Sequence, residues 1–132
     1  MKKFLLLLIH LPITAMVFAQ EDGSHKVFEK VEIMAGTNLK EWETHIRKNS
    51  NLPDSVKKEI PEGDYIAIIK FVVDIHGNIG EISIKKDPGH GLGKKAANII
   101  RNYKGQWTPA NQCGRFVKSY KEQPIIFKIE KI

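Results

Sequence analysis

The chain has 132 residues, a single cysteine, and 21 basic against 15 acidic side chains, a formal net charge of +6. That length suits about one small domain, and a lone cysteine excludes an intramolecular disulfide. The positive balance favours acidic partners or anionic surfaces, but no compact basic run is present.

Met1-Lys2-Lys3 is a basic start, Phe4 to Ile9 is unbroken apolar sequence, and Val17-Phe18-Ala19 supplies small residues before a cut. These are marks of an export signal over residues 1–19, cleaved after Ala19. A spanning helix needs about 20 mostly apolar residues. Here 16 lie between Lys3 and Gln20, interrupted by His10 and Pro12. No cysteine follows the apolar run, so no lipid anchor on a cysteine is expected. Cleavage leaves 113 residues carrying 19 basic and 15 acidic side chains, a net charge of +4. Export also takes nucleic acid out of consideration as a partner. Residues 20–26 read as a flexible tail and residues 27–132 as one domain.

Val27 to Met34 alternates weakly, as a short strand or an extended arm would. Asn38 followed by Glu41 has capping-box spacing, and Leu39, Trp42 and Ile46 then give one apolar helical stripe as far as about Ser50. Pro53 can open a second helical turn through Lys58, ended by Pro61-Glu62-Gly63.

From Asp64 to Ile75, Tyr65, Ala67, Ile69, Phe71, Val73 and Ile75 share one face, while Ile66, Ile68 and Val72 share the other. Apolar residues on both faces predict a central strand. His76-Gly77-Asn78 is a turn in which Gly77 or Asn78 takes positive φ, and Ile79 to Lys86 returns with Ile82 and Ile84 inward. The pair is a β-hairpin. After the break at Asp87-Pro88-Gly89, Leu92, Ala96, Ile99 and Tyr103 mark one side of a helix, with Gly105 placed to end it in the left-handed conformation. A loop through Gly114 leads to a last strand from about Arg115 to Ile129.

Chain direction makes the last strand antiparallel to the first hairpin strand. The expected fold is therefore α+β, a three-stranded antiparallel sheet of order 2-1-3 with two helices on one face. The last strand sits at an edge, where unpaired backbone groups recruit another strand unless protected. Lys118, Lys121 and Lys128 supply protective charge, and Pro124 lacks a donor, as edge prolines do. The alternative to simple protection is that a partner peptide adds along Arg115, Phe116, Val117, Lys118, Ser119, Tyr120, Lys121, Glu122 and Gln123 by β-augmentation.

An ordered set of residues supports that second reading. It comprises Phe71-Val72-Val73-Asp74 before Gly77, Gly91-Leu92 before Ala96-Ala97, Trp107-Thr108-Pro109-Ala110, Gly114, Val117, and Pro124-Ile125 before Phe127. In order and spacing the set resembles the C-terminal domain of TonB-type energy transducers, over roughly Val27 to Ile129. The resemblance implies a TonB/TolA C-terminal-like fold in the periplasm. It also implies that Arg115 to Gln123 pairs with the TonB box of an outer-membrane transporter or with another envelope protein. Trp107 and Pro109 are expected to brace a loop rather than touch a partner.

The chain departs from that family in two places. It has no long Pro-rich spacer, and Leu6 stands where the serine accompanying the family's membrane histidine would be, one turn before His10. Two alternatives follow. One is an inner-membrane transducer that keeps its N-terminal helix, the only form with membrane contact. The other is a homodimer joined through exposed edges and Cys113.

No enzyme chemistry is expected. His25, His45, His76, His90 and Cys113 are scattered without the close spacing of a zinc site, and no orienting group accompanies Cys113 as a nucleophile. Gly89-His90-Gly91-Leu92-Gly93 does not have dinucleotide-loop spacing. No cofactor or metal is called for.

Overall fold

The computed structural model describes residues 26–131. The export signal and nearly all of the tail expected before Val27 lie outside the described residues. The elements in order are β1 (Val27–Phe28), β2 (Gly36–Thr37), α1 (Leu39–Ser50), α2 (Asp54–Lys57), β3 (Gly63–Val73), β4 (Ile79–Lys86), α3 (Leu92–Arg101), β5 (Trp107–Thr108), β6 (Ala110–Gln112) and β7 (Arg115–Ile129).

The fold is mixed α+β, as expected, but richer than three strands and two helices. Five strands form the main sheet, in the order β1-β7-β3-β4 with β6 also paired to β7, and β2 pairs β5 in a second small sheet. The three long strands keep the expected order, with β3 between β4 and β7. β3 meets β7 in an antiparallel register from Gly63↔Ile129 to Val73↔Ser119.

Alternation in β3 decides which sheet face is covered. Ala67, Ile69, Phe71 and Val73 are all fully buried and share one cluster with Trp42 of α1, Leu92, Ala96, Ile99 and Ile100 of α3, and Ile125, Phe127 and Ile129 of β7. Burying a side chain the size of Phe71 or Phe127 contributes about 1.5–3 kcal/mol, so this face carries most of the drive to fold. On the other face Ile66 and Ile126 are neighbours in register and both exposed, at 38% and 49%.

Local signals explain the ends of the elements. The Asn38 side chain accepts from the Glu41 N–H and caps α1 as its spacing foretold. Pro53 precedes α2 as its cap residue rather than opening its first turn. Asp87 replaces a cap side chain at α3, accepting from the Gly89 and Gly93 N–H groups. Gly105 does not take the left-handed conformation predicted for it; α3 runs to Arg101 and ends through Asn102 at φ −88°. Its lack of a side chain has another use, because a Cβ there would meet the Tyr103 hydroxyl at 2.1 Å.

Trp107 braces the loop as expected. Its ring stands edge-on to Trp42 at 5.1 Å, with Phe71 at 5.6 Å and Tyr103 at 6.2 Å. Such edge-to-face contacts add to burial alone. Its strand, β5, pairs Thr37 opposite Trp107 and so draws the segment before α1 onto the core.

Candidate functional site

β7 is long because its residues alternate cleanly: Ile125, Phe127 and Ile129 are buried while Pro124, Ile126 and Lys128 are exposed. Its two halves differ in pairing. Arg115, Phe116 and Val117 are rungs of a hairpin with Gln112, Asn111 and Ala110 of β6. Lys118 and Ser119 carry Val27 and Phe28 of β1 in parallel pairing. The first five residues of the expected open stretch are thus engaged by the chain's own short strands. This corrects the reading that Arg115 to Gln123 is a continuous vacant edge.

The hairpin closes through Cys113-Gly114, both at positive φ (51° and 77°). That two-residue turn with glycine second is the form a tight hairpin demands, and it pins β6 onto the head of β7. A two-residue X-Gly turn is visible in sequence; the short strand before it, Ala110 to Gln112, offers too little alternation to be read.

Among the described residues, the pairing partner from Tyr120 to Ile129 is β3 alone. Tyr120, Lys121, Glu122 and Gln123 are the part of the expected stretch that remains open, and the opening continues past them. Backbone groups alternate between neighbours in an antiparallel ladder, and proline is tolerated where its nitrogen faces no partner. Pro124 therefore belongs to the set turned away from β3, with Glu122, Ile126 and Lys128. The opposite sheet edge, β4, is blunted by two register shifts, by Glu81 at φ 45° and by Lys85 and Lys86.

The open half of β7 runs beside α1, and the two enclose a groove of about 360 Å³ lined by Leu39, Trp42, Glu43, Ile46, Arg47, Ser50, Gln123, Pro124 and Ile126. Leu39, Trp42 and Ile46 form the single apolar stripe that the helical period predicts. Only Trp42 is buried; Leu39 is 66% exposed and Ile46 partly so. The helical period found the stripe, but it could not tell a side chain on the core from one hanging over a strand edge.

Lys121 stands at the head of this stretch. It is half-buried on the Phe71 side of the sheet, its ammonium donates to the Ala35 carbonyl at 3.0 Å, and it lies 5.7 Å from the Trp107 ring centre. Burial holds its pKa below the usual lysine range. On the uncovered face Lys70 bonds Glu29 at 2.8 Å and lies over the Tyr120 ring at 4.1 Å, and its pKa is raised, first by the Glu29 bond. Glu122 bonds Lys85 on the same face.

Among the described residues, those weighed for metal or nucleophilic chemistry do not converge. The His45 ring meets the Ile99 carbonyl, the His90 ring stands edge-on to Tyr65, and the Cys113 thiol faces Glu32 at the hairpin tip. His25 lies outside the described residues. No helix among the described residues is long and apolar enough to cross a membrane.

No protein-family model matches this chain, and the search of curated proteins returned no match either.

Proposed function

We propose that this is a non-catalytic periplasmic module of the TonB C-terminal kind. It binds an extended segment of an outer-membrane transporter or other envelope protein by strand addition, in the service of TonB-dependent transport. The observation that carries the reading is the run Tyr120–Ile129, paired on one side only among the described residues and bordered by the apolar groove under α1. Added strands gain affinity from backbone bonds and selectivity from alternate side chains. A strand laid here sends alternate side chains under Leu39 and Ile46 and the others over Pro124 and Ile126. The docking stretch is therefore Tyr120 to Lys128, overlapping the sequence expectation at Tyr120, Lys121, Glu122 and Gln123. The order β4-β3-β7 and the helices on one face also support the resemblance.

Photo-crosslinking tests the reading in cells. A photoreactive residue at Ile126 should capture an outer-membrane protein, whereas one at Lys48, on the far side of α1, should not. Equal capture from both positions, or none from Ile126, would move the site elsewhere.

A second reading has one specific observation in its favour. Two copies joined antiparallel about Ile125 would set Glu122 of one strand opposite Lys128 of the other, an attractive cross-strand pair. Cys113 lies at the other end of β7 and would take no part. Sedimentation separates the readings: a monomer at all concentrations removes the dimer.

A further inference from the structure

At Ser119, β7 has a neighbour on each side, Val73 of β3 and Phe28 of β1. Among the described residues β1 takes two rungs, Val27 at Lys118 and Phe28 at Ser119, and runs parallel to β7. The chain then bends at Glu29 and Lys30 and leaves the edge. What meets it there is Lys70, whose ammonium binds the Glu29 carboxylate at 2.8 Å with the two side chains 27% and 66% exposed. The same ammonium covers the ring of Tyr120, the first residue past β1. The short strand is therefore fastened beside the point where the open edge begins.

We propose that residues 26–30 form a displaceable strap. β1 holds the head of the strand-accepting edge, Glu29–Lys70 is its latch, and an incoming segment that extends to Lys118 must lift it away. The inference rests on the strand-addition reading of the same edge and adds its regulation. Two rungs and one exposed ion pair hold a segment weakly, so the strap opens and closes without unfolding the sheet. A partner's apparent affinity is reduced in proportion to the fraction of chains with the strap closed. An exposed ion pair weakens as salt rises, which shifts the strap toward open.

The test needs no natural partner. The probe is a synthetic peptide copying residues 26–33, added to the full chain, with amide hydrogen exchange read at Phe28 and Lys118. In Glu29→Lys, exchange at both amides should rise about fivefold, the scale of an exposed ion pair lost. The peptide should bind that variant at least about threefold more tightly than wild type, shifting resonances from Lys118 to Tyr120. The charge-swapped double variant E29K/K70E should restore protection at both amides. Unchanged exchange in Glu29→Lys would show that the latch holds nothing. Faster exchange with unchanged peptide affinity, or no peptide binding to any variant, would show that β1 does not compete for the edge. None of these results depends on capture from Ile126, so the strap and the envelope partner can fail separately.

Discussion

The Trp42 indole N–H donates to the Gln123 side-chain carbonyl across 2.9 Å. This bond ties α1 to β7 at the mouth of the groove, and the Gln123 amide in turn donates to the Pro124 carbonyl. One buried aromatic thus sets the distance between the helix and the open strand. Replacing Gln123 with Leu leaves a largely buried indole donor without its acceptor and should cost about 1–2 kcal/mol in urea unfolding. No loss of stability would mean that the bond does not fix α1.

Lys121 should trade stability for its place at the docking edge. Its folded pKa is lowered by burial, so the unfolded chain binds its proton more readily. That penalty is present at neutral pH and is relieved as pH rises through the lowered pKa toward the ordinary lysine value. Lys121→Met should therefore raise the urea midpoint at pH 7 and flatten the gain in stability that wild type shows on going to alkaline pH. A lower midpoint in the variant would mean that the bond to the Ala35 carbonyl outweighs desolvation.

Ser119 is 2% exposed, and its hydroxyl has no hydrogen-bond partner among the described residues. A buried hydroxyl without a partner opposes folding. Ser119→Ala should be neutral to about 1 kcal/mol more stable, as read by thermal unfolding. A clear loss of stability would indicate that the hydroxyl is bonded in solution.

Gly77 turns the β3–β4 hairpin at φ 79°, and a Cβ there would meet the Trp107 carbonyl oxygen at 2.2 Å. Both the conformation and the space require glycine. Gly77→Ala should destabilise by about 2–3 kcal/mol, with near-ultraviolet circular dichroism reporting disturbance of the Trp107 cluster. An intact spectrum with unchanged stability would contradict the close approach.

What the sequence made legible follows from how local each signal is. The two-faced apolar run of β3, the hairpin to β4, the stripe of α3 and the Asn38 cap are written in consecutive residues, and all four are present. β1, β2, β5 and β6 have two or three residues each. They exist because tertiary contacts bring Ile33 to Asn111 and Thr37 to Trp107, and no period can be read from so few positions. The weak alternation of Val27 to Met34 marks a strand or arm there, but neither its place beside Lys118 and Ser119 nor β6 is legible in sequence, so the head of β7 reads as vacant. The groove was half legible: Leu39, Trp42 and Ile46 carried the period, while their position over an edge depends on the long-range Trp42–Gln123 bond.

Amide hydrogen exchange along β7 tests the central claim most directly, first on the free chain and then on the complex with the partner captured from Ile126. The account predicts that Glu122, Ile126 and Lys128 exchange quickly in the free chain while Ile125 and Phe127 are protected, and that the three fast amides become protected in the complex. Slow exchange of those three in the free chain, or protection that appears at Phe116 instead, would contradict an open, strand-accepting edge at Tyr120–Lys128.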